Sequence, residues 1–248
     1  GSNNVASGAF TFVGGGDDNR TSGLAGVIGG GRHNVASGQD ATVGGGWTNT
    51  ASGEIATVGG GANNVADTNA STVCGGADNV ASGWGAAVGG GQSNMADTTA
   101  ATVCGGGLNV ASGHAATVAG GFGNQASGEY SFAAGLEAIA AGDRSFAWSD
   151  GIGGPFTNST HLSFHVRASG GTSFYSNGAT TAGVILPAGG SAWAPVSDST
   201  LKRNIREVDY QDVLRRLATL PISQWSYKAQ DESIEHIGPM AQDFHSVF

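Results

Sequence analysis

Asparagine returns every fifteen residues, at Asn4, Asn19, Asn34, Asn49, Asn64, Asn79, Asn94, Asn109 and Asn124, so more than half of the chain is nine near-identical units. The cleanest unit runs Asn34-Val35-Ala36-Ser37-Gly38-Gln39-Asp40-Ala41-Thr42-Val43-Gly44-Gly45-Gly46-Trp47-Thr48. It holds two short apolar segments separated by turn residues. A fifteen-residue period is too short for helix-pair repeats. Valine in the longer apolar segment and glycine at each turn instead predict one coil of a β-solenoid, rising about 4.8 Å per coil.

Stacked coils place equivalent side chains above one another. Val13, Ile28, Val43, Val58, Val73, Val88, Val103 and Val118 are therefore expected to form a buried column, and the asparagines a ladder of amides. Asparagine suits a turn because it tolerates left-handed backbone and bonds to nearby main chain. Each coil has little else to bury. With 45 glycines in the chain, each costing roughly 0.5–1 kcal/mol relative to alanine when fixed, a single solenoid is short of core. Side-by-side association in a closed cyclic oligomer would supply the missing apolar contact.

Cys74 and Cys104 share one register, two coils apart, in place of the first glycine of the Gly run. Their expected separation of about 9.5 Å exceeds the ~7 Å Cα limit for a disulfide. They read as free, buried thiols, with a thiol pair across chains as the alternative. The same two coils carry Asp67-Thr68 and Asp97-Thr98 where others carry Ser-Gly. If glycine there has positive φ, threonine implies a second coil conformation.

Charge limits the partners. The net charge is −9, and the first 150 residues hold only Arg20, Arg32 and Arg144 against eleven Asp and Glu, so nucleic acid and anionic membrane are poor candidates. No run approaches the ~20 apolar residues of a membrane span. The Gly runs lack the Gly-Lys-Ser/Thr ending of a phosphate loop, and no cofactor or metal site is expected. His161 and His165, read as one strand face, have no third ligand near them in sequence. The threonine column at Thr42, Thr57, Thr72, Thr102 and Thr117 is one residue wide and is interrupted by Val27 and Ala87, which weakens an ice-binding reading. The chain opens inside a repeat and reads as a fragment, so a missing leader carries no weight.

Recognition is expected in the variable pairs, where side chains change on an unchanging scaffold. Trp47, Trp84 and Phe122 are large aromatic residues at these turns. They are candidates for carbohydrate or protein contact, or for packing between protomers. The repeat itself, with its Asn-x-Ala and Ser-Gly elements, resembles the YadA-like head of trimeric autotransporter adhesins. That resemblance covers residues 1–142 and implies a trimer of left-handed parallel β-rolls.

Residues 143–196 read as a β-rich connector, with Leu162–Arg167 and Thr172–Ser176 as a hairpin and Ala182–Leu186 as a third strand. Beyond it come Ser197-Asp198-Ser199-Thr200-Leu201-Lys202-Arg203-Asn204-Ile205, an amphipathic helix near Asp209–Leu220, a strand Ile222–Lys228, and His236-Ile237-Gly238-Pro239-Met240-Ala241-Gln242. This order closely resembles the endosialidase-type intramolecular chaperone of phage tail spikes and fibres. The resemblance implies a small α+β segment over 197–248 that trimerises the fibre, further helix after Phe248, and self-cleavage at Val196–Ser197. Ser197 would be the nucleophile and Lys202 the base. Lysine can take that role only where desolvation lowers its pKa.

These readings converge on a mainly β, homotrimeric fibre, extracellular at a cell surface or outer membrane, or on a virion tail. Its expected function is adhesion or host recognition of a surface glycan or protein. A phage tail-fibre component is the alternative, and any enzymatic activity is a single self-cleavage.

Overall fold

The computed structural model describes residues 1–196, 200 and 202–248. It is mainly β. Two parallel sheets of eleven strands face each other, and each coil contributes one strand to each sheet. One sheet starts at Val5–Ala6 and ends at Phe156–Asn158, while the other runs from Phe12–Val13 to Phe164–Arg167. Pairing is in strict register through the repeats, as in Val80 with Met95 and Ala81 with Ala96.

Alternation along each two-residue strand decides the core. In the coil of Asn49, Ala51, Ala56 and Val58 are fully buried, while Thr50 and Thr57 stand on the outer faces. Val43 to Val118, with Ile28, form the expected column. Val13, near the start of the stack, is only partly buried.

The asparagine ladder holds the turn above this column. Asn64 is fully buried. Its Nδ2 donates to Gly60 O at 2.9 Å and to Gly76 O of the next coil at 2.9 Å, while its Oδ1 accepts the Asn79 main-chain N–H at 3.1 Å. The same pattern repeats at Asn34, Asn49, Asn79, Asn94 and Asn109. Each amide thus satisfies a turn carbonyl that no main-chain N–H reaches, as at Gly60, and shares the other with a main-chain donor, as Gly76 O is shared with the Ala62 N–H.

The third glycine of each Gly run is required twice over. Gly31 has φ of 91°, and a Cβ there would lie 2.1 Å from Gly46 O and 2.7 Å from the Asn34 amide nitrogen. The glycine before it has no such constraint at Gly30, where a Cβ would meet nothing within 4 Å.

Two expectations about backbone are corrected. The glycine of Ser-Gly does not adopt positive φ, and neither does the ladder asparagine. Left-handed residues are instead the second members of the variable pairs, such as Asp40, Thr48, Ile55 and Asn63, at φ of 52–57°. Their N–H groups turn back to the preceding coil, with Ile55 N donating to Gln39 O at 2.7 Å, whereas strand N–H groups point forward. Those main-chain bonds offset the cost of a left-handed non-glycine residue. Asp67-Thr68 and Asp97-Thr98 keep the same left-handed turn, with Ala70 and Ala100 left-handed like their equivalents, but differ locally, the Thr68 N–H donating to Ser71 Oγ at 3.2 Å where Gly53 N–H reaches Ala66 O. Gly38 is small for a different reason, since its Cβ would sit 1.9 Å from Gly53 O.

The ladders also continue past residue 142. Gln125 pairs with Ile139 and Phe132 with Phe146, one residue short of the period, and a longer coil then pairs Phe146 with Phe164. Stacked rings of Phe132, Phe146 and Phe164, 5.1 and 4.4 Å apart, run up the outer face. The strand Phe164–Arg167 belongs to this parallel ladder, so the expected hairpin with 172–176 does not form. The segment Gly171–Tyr175 joins Gly183–Pro187 and Ala194–Pro195 in a three-stranded sheet. Asp150 ties the last turns, accepting from Ser169 N at 2.6 Å and Ser169 Oγ at 2.5 Å. Those bonds hold its carboxyl down at about 2.

Gly30→Ala is expected to leave the melting temperature nearly unchanged. Gly31→Ala should lower it sharply or abolish folding, because it combines a left-handed backbone with a main-chain clash. Asn64→Ala should cost about 1–3 kcal/mol by leaving the buried Asn79 N–H and the Gly60 carbonyl without their partner. Thermal unfolding followed by circular dichroism checks all three.

Candidate functional site

Two regions carry candidate function, the turns of the solenoid and the C-terminal segment. Trp47 and Phe122 lie in one column, linked through Ala62, Ala77, Gln92 and Gly107 by successive parallel bridges. Trp84 belongs to the opposite turn of the coil, between Ala81 and Ala87. All three are open to solvent in the single chain, at 53, 51 and 61 % for Trp47, Phe122 and Trp84. The structure therefore divides them between two edges. Neighbouring charges pair along the first edge, with Asp17 and Arg32 at 3.5 Å and Asp18 and His33 at 3.0 Å.

Cys74 and Cys104 are free, but they are exposed, not buried as expected. The Gly run they enter lies on the outer turn, and the core side of the coil is filled by Val73 and Val103. His161 sits in a turn with Nδ1 3.2 Å from Asp143 Oδ2, while His165 is on the following strand. They do not form the shared strand face expected of them. Among the described residues no group of three metal-ligating side chains occurs, and no helix is long and apolar enough to cross a membrane.

The C-terminal segment forms the elements its sequence implies. Helix α1 spans Tyr210–Thr219, capped by Asp209, whose side chain accepts from Gln211 N at 2.9 Å and Asp212 N at 3.3 Å. Asp212 pairs with Arg216 at 2.6 Å and with Arg215. Its desolvation, which would raise the pKa, is outweighed by those hydrogen bonds and charges, and the carboxyl falls below its ordinary value. Ser223–Trp225 pairs antiparallel with His236–Gly238. Helix α2 spans Ala241–Val247, and Arg216 Nη1 donates to Val247 O at 3.2 Å.

The paired strands bring together two motifs that lie apart in sequence. The ring of His236 stacks on Trp225 at 4.7 Å, and Tyr227 meets both rings edge-on at 4.7 and 5.4 Å. His236 Nε2 is held 3.0 Å from Gln230 Oε1. Trp225 Nε1 is buried without a partner among the described residues. Neither helix buries a single residue, and Leu214, Leu217, Ile222, Ile237 and Phe244 are all exposed. This apolar surface has no core of its own to enter.

Residues 197–248 match the family model of the chaperone of endosialidase. The match bears out the resemblance read from the motifs, over that segment. No curated protein matches the chain. Of the dyad implied by the chaperone family, Ser197 lies outside the described residues, and Lys202 is exposed. Val196, on the other side of the implied scissile bond, donates its N–H to Gly183 O at 2.9 Å.

The aromatic cluster of Trp225, Tyr227 and His236 was not singled out from sequence as a contact. Its signal was the spacing of the two motifs, which an antiparallel pair turns into adjacency. Thiol titration of the unfolded chain under non-reducing conditions is expected to find two thiols per chain. An intrachain disulfide would contradict the two-coil separation.

Proposed function

We propose that this chain is a homotrimeric recognition fibre of the phage tail-spike or tail-fibre type. In this reading the solenoid is the surface-bearing shaft, and residues 197–248 are the chaperone that assembles it. The observation that carries the proposal is the C-terminal segment, which matches the chaperone of endosialidase and exposes nearly all its large apolar side chains. Burying that surface between copies of the chain would give it the core it lacks. The solenoid has a matching need. Val35, Val65, Val80, Met95 and Val110, interrupted at Thr50, form a half-exposed apolar column on the outer face of one sheet, and a second copy would cover it.

Self-cleavage belongs to the same proposal. The neutral amine of Lys202 would take the Ser197 hydroxyl proton as Oγ attacks the Val196 carbonyl carbon. The amide nitrogen then leaves with a proton, and water hydrolyses the resulting ester. Lys202 is exposed in the single chain, so packing in the assembled trimer has to desolvate it. Cleavage therefore follows assembly and releases the chaperone from a finished fibre.

The resemblance of the repeats to adhesin heads favours a second reading, a cell-surface adhesin with the same C-terminal chaperone. The full-length gene product separates the two. A baseplate-attachment domain ahead of the repeats fits the virion, and a secretion signal fits the cell surface.

Light scattering is expected to give three times the 24.5 kDa chain mass, and a stable folded monomer at micromolar concentration would overturn the proposal. In the full-length product, mass spectrometry should find fragments divided at Val196–Ser197. Ser197→Ala, Lys202→Ala and Lys202→Arg should each stay intact yet trimeric, since a guanidinium keeps its proton and cannot act as a base. Cleavage persisting in Ser197→Ala would remove the catalytic assignment.

A further inference from the structure

The repeat departs from its own pattern around one side chain. Asp67-Thr68 and Asp97-Thr98 replace Ser-Gly in the coils of Asn64 and Asn94, and Trp84 stands at the outer turn of the coil between them. Stacking does not require these replacements, because Ser-Gly coils before and after pair in the same register. Their effect is on the surface. Thr68, Trp84, Asp97, Thr99 and His114 line an open cleft of about 510 Å³.

The cleft is built to leave the indole uncovered. Gly85 follows Trp84 with φ of 63°, and Ala70 and Ala100 hold the equivalent turn positions of the adjoining coils. No side chain larger than a methyl group therefore flanks Trp84 at those positions. Thr98 Oγ1 donates to Gly113 O at 2.7 Å and Thr68 Oγ1 to Ser82 O at 2.5 Å, which fixes the coils on either side. The Asp97 carboxylate makes no hydrogen bond or ion pair among the described residues. His114 packs edge-on against Tyr130 at 5.4 Å, with the Arg144 guanidinium 5.5 Å from the Tyr130 ring.

We propose that this cleft binds a neutral hexose unit of a surface glycan. The apolar face of the sugar stacks on Trp84, and its hydroxyls donate to Asp97 and bond to Thr99 and His114. An indole offers a flat apolar platform of the size of a pyranose ring. A carboxylate with free lone pairs accepts two hydroxyl protons. Asp97 lines the cleft with the indole in a chain of net charge −9, which disfavours sialic and other acidic sugars. The inference rests on the recognition function proposed above and gives it a ligand class.

The test uses the purified chain on a glycan microarray carrying neutral hexose oligosaccharides and sialylated ones, followed by calorimetric titration of the best neutral binder. Retention of neutral hexose glycans is expected, with Trp84→Ala and Asp97→Asn each weakening affinity about tenfold or more at unchanged assembly mass. Retention of acidic glycans alone, or of neutral glycans equally by wild type and Trp84→Ala, overturns this site but leaves the recognition function standing. A change in assembly mass in Trp84→Ala makes the indole an interchain contact and overturns the site as well. Retention of no glycan at all overturns it and removes this support for recognition.

Discussion

Everything in the solenoid depends on the bond between a buried asparagine amide and two glycine carbonyls, one in its own coil and one in the next. Asn79 Nδ2 reaches Gly75 O and Gly91 O, each at 2.9 Å. Such an amide works only where the neighbouring glycine lacks a Cβ, since one on Gly76 would sit 2.7 Å from the Asn79 nitrogen. Asparagine and glycine are therefore invariant together within the repeat. The coil varies most freely where neither column is touched, at the two pairs of turn residues.

That constraint separates scaffold from function. The interior of a coil is one valine, a few alanines and an amide, too little to carry much stability alone. The proposed trimer would supply stability from outside the coil, through apolar columns on its outer faces and through the uncovered helices of the C-terminal segment. Side chains change freely only on the edges, which is where the proposed recognition would act. An assembly that covers faces and leaves edges open would reconcile both demands.

Much of this was legible in the sequence because a fixed period converts position into geometry. The valine column, the amide ladder and the two strands per coil follow from spacing alone, and the Asp209 cap and Leu220 end of α1 follow from local signals. Backbone conformation was less legible. A glycine after serine allows positive φ, whereas the demand at Gly38 is close packing against Gly53 O. The left-handed positions hold Ile55, Ala70 and Tyr130, residues whose types give no warning. Thiols prefer burial, whereas the register of Cys74 and Cys104 faces outward. The end of the ladders was misplaced because the period changes after Asn124, and the longer coil through Gly151–Pro155 resembles a break. Of the candidate site, Trp84 was visible as an exposed aromatic. Asp97 and His114 were not associated with it, because they lie one and two coils away along the chain.

The account stands on the claim that residues 197–248 build the trimer and the solenoid does not build it alone. Refolding from denaturant at equal chain concentration, with and without those residues, tests this most directly through sedimentation of the products. The account expects the full chain to recover as a trimer and the shortened chain to remain unassembled or aggregate. Recovery of a folded trimer from the shortened chain at the same rate and yield would contradict it.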